Sequence, residues 1–241
     1  MAASAETFDW TARDGVLFDL DGVITPTADV HERAWLELFS DYGATSDDYL
    51  RYIDGKPRAL GVRSFLESRG VELPEGSPDD PPGDTTIWAM GNRKNDLFLD
   101  VLDRDGVEPY PGSAQLVDHL EATEFPMAIV SSSKNAKLVL RRAGLDGRFP
   151  VVVDGVVAAA EHLHGKPAPD AFLLGAERLG VRPAHTVVVE DAVSGVAAGA
   201  AGGVDVVIGV DRGAGHDALL ANGADIVVDD LAELLPSGGV R

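Results

Sequence analysis

Short apolar runs alternate with amphipathic stretches along most of the chain. Val16-Leu17-Phe18 is the first apolar run, and it ends directly in acidic residues, as a buried strand often does. Further strands are predicted at residues 126–130, 151–153, 186–189, 204–208 and 225–228. Helices are predicted at residues 135–143, at residues 169–179 and from Ala192 onward. These repeated β–α units predict an α/β fold with a doubly wound, parallel, Rossmann-like sheet.

The segment after the first strand has a different pattern. Residues 28–42 place Trp35 and Phe39 at helical spacing, which predicts an amphipathic helix. Residues 44–104 also have a helical pattern, interrupted at residues 74–83 by a loop rich in Pro, Gly and Asp. Because helical patterns flank this loop on both sides, we interpret it as a surface loop inside a helical module.

Composition and charge narrow the classes of partner. The 241 residues are 45% apolar and 25% charged, which is ordinary for a globular protein that buries a hydrophobic core. The formal net charge of −20 repels nucleic acid and anionic membranes, so we expect neither as a partner. A phosphate ligand would need cations concentrated at its own site.

The chain contains no cysteine, which excludes disulfides, thiolate metal sites and cysteine nucleophiles. Residues 1–10 include Glu6 and Asp9 and lack a cationic start, so no secretory signal peptide is predicted. No stretch approaches the roughly 20 apolar residues that a membrane helix needs. The simplest expectation is a cytoplasmic, monomeric protein.

Residues able to do chemistry follow several of the predicted strands. Asp19 and Asp21 come after the first strand, and Ser131 comes after the second. Lys166 lies in a Gly-Lys-Pro sequence, and the strand at 186–189 ends in Glu190-Asp191. Because ligands bind outside the carboxyl ends of parallel strands, we expect these groups to converge at one edge of the sheet.

Carboxylates crowded into one site repel each other unless a cation lies among them. Oxygen ligands without thiolates favour Mg²⁺. A phosphoryl group would bridge this metal and Lys166, with Ser131 and backbone N–H groups on its remaining oxygens. One carboxylate could attack phosphorus, and a second, two residues on, could carry the proton of a sugar hydroxyl.

Each feature also has a simpler structural explanation. An Asp-x-Asp after an apolar run is often a solvated strand end, and a single lysine usually lies on the surface. Glu190-Asp191 could favour a helix N-terminus through the helix dipole, and Ser131–Ser133 could cap a helix. All four features occur in order at strand ends, which favours a shared site.

At these residues the sequence resembles the haloacid dehalogenase-like (HAD) phosphotransferase superfamily. Four motifs match in order: Asp19-x-Asp21-Gly22-Val23-x-Thr25, Ser131, Lys166 and Glu190-Asp191. The resemblance covers nearly the whole chain. It implies an α/β phosphotransferase core at residues 1–26 and 108–241, with an inserted α-helical cap domain at residues 27–107.

Within the superfamily the chain is similar to the β-phosphoglucomutase family. Residues 18–25 nearly reproduce that family's first motif, and His31 and Trp35 follow at the same spacing. Two cap motifs also match, through Gly55 with Arg58 and through Arg93-Lys94-Asn95-Asp96. The remaining matches are Ser131-x-Ser133-Lys134-Asn135 and Lys166-Pro167-Ala168-Pro169-Asp170.

The resemblance implies a role for each of these residues. Asp19 would be the phosphorylated nucleophile and Asp21 the general acid and base. Mg²⁺ would be bound by the side chains of Asp19, Glu190 and Asp191 and by the backbone carbonyl of Asp21. Ser131 and Lys166 would bind the transferring phosphoryl group. The sugar and its second phosphate would be contacted by Thr27, His31, Trp35, Gly55, Arg58, Lys94, Ser133, Lys134 and Asn135.

The chain departs from this family at two prolines. Pro26 stands where the family usually has Asp, and it lacks a backbone donor. The cap motif reads Asp54-Gly55-Lys56-Pro57-Arg58, so Pro57 replaces a residue with a hydroxyl and an N–H. These changes bear on the substrate more than on the chemistry.

Three functions follow from the sequence. The first is a phosphomutase that interconverts β-D-glucose 1-phosphate and glucose 6-phosphate through an aspartyl-phosphate enzyme and glucose 1,6-bisphosphate. The second is a phosphatase acting on a small phosphorylated metabolite. The third, a non-catalytic metabolite-binding protein on the same fold, conflicts with the intact set of reactive residues. The sequence favours the mutase.

Overall fold

The computed structural model describes residues 8–236, which form a six-stranded parallel sheet with helices on both faces. The strands are β1 (Gly15–Phe18), β2 (Met127–Val130), β3 (Val151–Val153), β4 (Thr186–Glu190), β5 (Val206–Val210) and β6 (Ile226–Val228). They lie in the order β3-β2-β1-β4-β5-β6. The strand order reverses at β1, and ligand clefts form at such points. Most of the segment assessed for a signal peptide lies outside the described residues.

After β1 the chain forms four helices before α5 (Pro111–Ala122) and β2: α1 (Thr27–Leu38), α2 (Ser46–Tyr52), α3 (Arg58–Ser68) and α4 (Ile87–Asp105). Their apolar faces form a separate small core, in which the Phe39 and Phe65 rings stack with centroids 4.0 Å apart. Thr45 and Asp48 form a capping box at α2, and Thr86 caps α4. We call residues 27–107 the helical insert; its status as a separate cap domain stays a prediction.

The remaining helices are α5 (Pro111–Ala122), α6 (Ala136–Arg142), α7 (Gly155–Ala160), α8 (Asp170–Leu179), α9 (Val193–Ala201) and α10 (His216–Ala221). Alternate side chains of β1 are buried on opposite faces of the sheet. Val16 and Phe18 pack in one apolar cluster with α5 and α6, whereas Leu17 packs in another with α8 and α9. The predicted doubly wound α/β class is therefore confirmed. In residues 8–236 no helix combines the length and apolarity needed to cross a membrane.

The structure corrects several predicted boundaries. The helix predicted at residues 28–42 ends at Leu38, because a short 3-10 helix follows and Gly43 turns the chain with a φ of 63°. The strand predicted at 204–208 lies at Val206–Val210, because the chain turns out of α9 at Gly202 and Gly203 and bends at Asp205 before it joins the sheet. The sequence reading missed α5, α7 and α10, of which α5 begins with a helix-starting proline, Pro111.

Candidate active site

Three carboxylates meet at the carboxyl ends of β1 and β4. Asp19 directly follows β1, Glu190 ends β4, and Asp191 comes next. Because Phe18 pairs with Val189 across the two strands, these residues leave the sheet side by side. One oxygen atom from each carboxylate lies within 4.8 Å of the other two. The structure therefore brings together the three side chains predicted as metal ligands, all at most 8% exposed.

Lys166 is the cation that these carboxylates share. Its Nζ donates to Asp19 Oδ1 and to Glu190 Oε1, each at 2.5 Å. Burial lowers the pKa of Lys166, but the charges of Asp19 and Glu190 outweigh it and raise that pKa above its ordinary value. The lysine is therefore charged at neutral pH.

The cluster holds more negative charge than Lys166 can offset. Burial raises the pKa of Asp19 well above its usual range; Lys166 opposes this shift and Glu190 adds to it. Burial also raises the pKa of Asp191, and the charges of Asp54 and Glu190 raise it further. Three buried carboxylates around one lysine leave excess negative charge that a divalent cation would neutralise. Their oxygen-only donor set fits Mg²⁺.

Two glycines make room for this cluster. Gly22 has a φ of 87°, and a Cβ there would lie 1.8 Å from Asp191 Oδ2. A Cβ on Gly195 would lie 1.8 Å from Glu190 Oε1. Glu190 Oε2 in turn accepts hydrogen bonds from the backbone N–H groups of Asp191 and Ala192, at 2.9 and 3.0 Å. The start of α9 thus fixes the orientation of Glu190.

Asp21 lies in the turn after Asp19 and is held by neighbouring polar groups. Thr27 Oγ1 donates to Asp21 Oδ1 at 2.5 Å, and Ser131 Oγ donates to Oδ2 at 3.3 Å. His31 Nε2 lies 3.5 Å from Asp21 Oδ1. Burial raises the pKa of Asp21, but His31 and Thr27 outweigh it and bring the pKa to about 2. Asp21 is therefore ionised at neutral pH and able to accept a proton.

Lys94 is a second buried lysine, on α4 of the insert. Its Nζ contacts His31 Nδ1 and lies 5.2 and 5.0 Å from the ring centroids of Trp35 and Phe98. Burial lowers the pKa of Lys94 well below its ordinary value, and the charge of Arg58 lowers it further. The insert thus presents two neighbouring basic side chains, Arg58 and Lys94, and within residues 8–236 neither forms a hydrogen bond with a carboxylate.

Arg58 begins α3 and is oriented by two side chains of α4. Its Nη1 donates to Asn92 Oδ1 at 3.2 Å, and its Nη2 donates to Asn95 Oδ1 at 2.6 Å. Asn135 Nδ2 donates to the same oxygen of Asn95 at 2.7 Å, which links the insert to the loop after β2. The sequence reading assigned no role to Asn92 or Asn95. Their i, i+3 spacing on a helical pattern was the signal that could have placed both on one face.

The loop after β2 folds into hydrogen-bonded turns at the start of α6. Ser131 Oγ accepts from the N–H of Ser133 at 3.0 Å, and Ser133 Oγ accepts from the N–H of Asn135 at 3.1 Å. Lys134 Nζ lies 5.1 Å from the ring centroid of Trp88 on the insert. The loop therefore places hydroxyl groups beside Asp21 and a cation beside the insert.

Two serine hydroxyls fasten the insert to the sheet edge. Ser132 Oγ donates to the carbonyl of Gly55 at 2.9 Å, and Ser194 Oγ donates to the carbonyl of Asp54 at 3.1 Å. Both acceptors lie in the loop between α2 and α3. The insert is therefore in a closed arrangement over the carboxylate cluster.

A cavity of about 620 Å³ lies between the insert and the sheet edge. The predicted catalytic and metal-binding side chains line it, as do nine of the eleven residues predicted to bind substrate or phosphate. Thr27 and Asn135 do not line it: the Thr27 hydroxyl donates to Asp21, and the Asn135 amide donates to Asn95. Their roles in substrate binding stay predictions. Asp54 does line the cavity, although the sequence reading assigned it no role.

Comparison with known proteins agrees with this geometry. A family model described as haloacid dehalogenase-like hydrolase matches residues 13–203. The β-phosphoglucomutase of Mycobacterium tuberculosis is 48% identical over 236 residues, covering 91% of this chain and 90% of that protein. The fructose-1-phosphate phosphatase YqaB of Escherichia coli is 35% identical over 198 residues, covering 80% of this chain and 94% of that protein.

A solved β-phosphoglucomutase structure from Clostridium difficile superimposes with a TM-score of 0.75 at 26% identity, covering 93% of this chain and 94% of that one. The matched residues 13–203 include every strand-end motif from Asp19 to Asp191. The predicted resemblance is therefore confirmed, and the chain belongs to the haloacid dehalogenase-like hydrolase family.

Proposed function

We propose that this enzyme is a Mg²⁺-dependent phosphomutase that interconverts β-D-glucose 1-phosphate and glucose 6-phosphate. The observation that carries the proposal is a single cavity with cationic side chains from two sides: Lys166 beside the carboxylate cluster, and Arg58 and Lys94 on the insert. A mutase must hold a sugar with a phosphate at each end. The 48% identity to the mycobacterial β-phosphoglucomutase supports the same activity.

In the first half-reaction Asp19 carries the phosphoryl group. Asp21 removes the proton from the 6-hydroxyl of β-glucose 1-phosphate while that oxygen attacks the phosphorus. The bond between phosphorus and Asp19 breaks, which yields glucose 1,6-bisphosphate and the free carboxylate. The pKa of about 2 at Asp21 keeps its carboxylate ionised before the transfer begins.

In the second half-reaction the bisphosphate lies with its 1-phosphate at Asp19. The Asp19 carboxylate attacks that phosphorus, the bond to the sugar oxygen breaks, and Asp21 returns the proton to the leaving oxygen. Glucose 6-phosphate and phosphorylated Asp19 result. Arg58 and Lys94 would hold the phosphate that does not react. A Mg²⁺ ion bound by Asp19, Glu190 and Asp191, with the carbonyl of Asp21, would offset the negative charge of the transferring group.

Water must be excluded from phosphorylated Asp19 if phosphoryl transfer to the sugar is to be faster than hydrolysis. Pro57 contributes to this seal because it packs directly on Gly165, where a Cβ would lie 2.3 Å from Pro57 Cγ. Pro57, which differs from the residue usual in the family, thus adds a packing contact beside Lys166. Pro26 precedes α1 with a φ of −74°, which proline adopts without strain.

The second candidate function is a phosphatase for a small phosphorylated metabolite. The 35% identity to a fructose-1-phosphate phosphatase favours it. The same carboxylates and Lys166 would serve, with water in place of the sugar hydroxyl as the acceptor of the phosphoryl group. The two functions differ in the fate of the phosphoryl group, so that fate is what an experiment must follow.

The test incubates the enzyme with β-glucose 1-phosphate, Mg²⁺ and a trace of glucose 1,6-bisphosphate, and measures glucose 6-phosphate and inorganic phosphate together. We expect glucose 6-phosphate with little release of phosphate. Asp19→Asn should abolish turnover, whereas Asp14→Asn, at an exposed residue just before β1, should match the wild type. Release of inorganic phosphate in place of glucose 6-phosphate would reject the mutase and support the phosphatase.

A further inference from the structure

Asp54 is a carboxylate of the insert that faces the carboxylate cluster of the sheet. It lies in the loop between α2 and α3 and lines the main cavity. Together with Asp191 it also lines a small side cavity of about 40 Å³. It is not one of the three residues whose carboxylate oxygens lie within 4.8 Å of one another. Asp54 is therefore a neighbour of the cluster and not a member of it.

The backbone of Asp54 is held in this place by the sheet edge. Its carbonyl accepts from Ser194 Oγ at 3.1 Å, and the next carbonyl, of Gly55, accepts from Ser132 Oγ at 2.9 Å. A Cβ on Gly55 would lie 2.2 Å from Ser194 Oγ, so the two surfaces are in tight contact. Both serines lie outside the insert. Asp54 therefore comes close to the cluster only when the insert is closed.

Closure brings like charges together. The pKa of Asp54 is raised to about 6: burial and the charge of Glu190 raise it, and a hydrogen bond with Tyr49 lowers it. Asp54 and Asp191 line the same side cavity of about 40 Å³, so the two carboxylates are near neighbours. Lys166, the cation at the cluster, already donates to two carboxylates. Without a further cation, the approach of Asp54 is therefore electrostatically unfavourable.

A divalent cation in the cluster would neutralise its excess negative charge and so cancel the repulsion of Asp54. We infer that Asp54 links closure of the helical insert to divalent-metal binding, as a positioning residue that attracts the ion without ligating it. The inference rests on the proposed function, because it takes Asp19, Glu190 and Asp191 as the ligands. Entry of substrate needs an open insert and phosphoryl transfer needs a closed one, so the metal favours the transfer-competent state.

The linkage is reciprocal. If the ion favours closure through Asp54, closure must favour binding of the ion by the same factor. Removing the charge of Asp54 should therefore weaken metal binding and also make closure insensitive to metal. A residue that only packed the insert against the sheet would change closure equally with and without the ion.

The first measurement is calorimetric titration with MgCl₂ alone. Asp54→Asn and Asp54→Ser both remove the charge, and the second variant guards against misfolding of the first. The matched control is Asp84→Asn, at an exposed insert residue. We expect Mg²⁺ affinity to fall about tenfold in both Asp54 variants, equivalent to about 1.4 kcal/mol. The control should bind Mg²⁺ as the wild type does.

The second measurement follows closure directly. Because the chain has no cysteine, Glu67→Cys on the insert and Asp146→Cys near the sheet give two unique labelling sites for energy transfer. We expect MgCl₂ to raise the transfer efficiency in the wild-type and Asp84→Asn backgrounds, with no response in either Asp54 variant. Here the readout is the distance between the labels and does not depend on activity.

The outcomes separate the inference from the proposed function. Unchanged Mg²⁺ affinity and an unchanged closure response in both Asp54 variants, with mutase activity present in the wild type, would overturn the inference alone. Absence of Mg²⁺ binding to the wild-type chain would overturn the inference and would also remove the metal from the proposed function.

Discussion

The two buried lysines of the cavity have different surroundings. Lys166 donates to two carboxylates, and its pKa is raised. Lys94 contacts His31 and two aromatic rings, and among residues 8–236 no carboxylate forms a hydrogen bond with it. Its pKa is lowered because burial favours its neutral form. A buried charge with so little compensation costs stability, and its retention fits a role in ligand binding.

We predict that Lys94→Met stabilises the fold at neutral pH by about 1 kcal/mol while reducing mutase activity. The unfolded chain keeps the Lys94 proton up to the ordinary pKa of 10.5, whereas the folded chain loses it at lower pH. Between the lowered pKa of Lys94 in the folded chain and its ordinary pKa of 10.5, the unfolded state binds more protons than the folded state. The stability of the wild type therefore rises with pH in that interval. The difference in unfolding free energy between Lys94→Met and the wild type should therefore become smaller as the pH rises.

Urea unfolding at neutral pH and at about pH 9.5 would measure both effects. Lys137→Met is the matched control, because the Lys137 side chain is 59% exposed, and its effect should stay within about 0.5 kcal/mol. A loss of stability in Lys94→Met at neutral pH, or a gain that grows with pH, would contradict the argument.

At the scale of the element, glycine residues allow helix α9 to pack closely against strand β4. A Cβ on Gly199 would lie 3.0 Å from Val188 Cγ1, so this helix packs closely on β4. Gly195 lies one turn earlier, directly against the Glu190 carboxylate. The same packing that joins helix to strand therefore also shapes the candidate metal site.

We predict that Gly195→Ala destabilises the protein by about 2 kcal/mol, because the new methyl group overlaps a carboxylate held by Lys166 and two N–H groups. Activity should fall at least tenfold. Gly202→Ala is the control at the end of the same helix, where φ is −75° and the nearest atom to a Cβ is 3.3 Å away. Its stability should match the wild type within about 1 kcal/mol. Urea unfolding and activity assays on both variants would test this prediction. Equal stability and equal activity of Gly195→Ala and Gly202→Ala would contradict the close contact between Gly195 and Glu190.

At the scale of the whole molecule, the candidate active site lies where the helical insert meets the sheet. The sheet supplies the carboxylates and Lys166, and the insert supplies Arg58 and Lys94. Hydrogen bonds from Ser132 and Ser194 join the two surfaces through backbone carbonyls. Under the proposed function, the strength of this junction should decide how often water reaches phosphorylated Asp19. The expected monomeric state and cytoplasmic location stay predictions.

We predict that the double variant Ser132→Ala with Ser194→Ala releases more inorganic phosphate per glucose 6-phosphate formed. Each hydrogen bond contributes about 1 kcal/mol, so their joint loss should favour opening by several-fold or more. Simultaneous assay of the two products gives the ratio. Ser68→Ala is the control, because the Ser68 hydroxyl has its hydrogen bonds inside the insert: it donates to the Phe65 carbonyl and accepts from Arg69 Nη1. An unchanged product ratio in the double variant would show that these bonds do not control water access.

The sequence by itself determined the class of fold and the residues at its strand ends. Apolar runs and helical spacing are local properties of the chain, so they predict strands and helices without knowledge of distant contacts. Strand-end residues such as Asp19 and Glu190 could be assigned to one edge because parallel strands all end on the same side. The order of the motifs was enough to indicate the family.

Tertiary structure alone decided which groups touch. Whether Thr27 reaches a ligand or supports Asp21 depends on where α1 packs, and no local pattern encodes that. Asn95 holds Arg58 only because α3 and α4 pack together within the insert. Asp54 comes near Asp191 only because the insert closes over the sheet. The physical reason is that hydrogen bonds and charge interactions act over a few ångströms. They are set by the packing of elements that lie far apart in the chain.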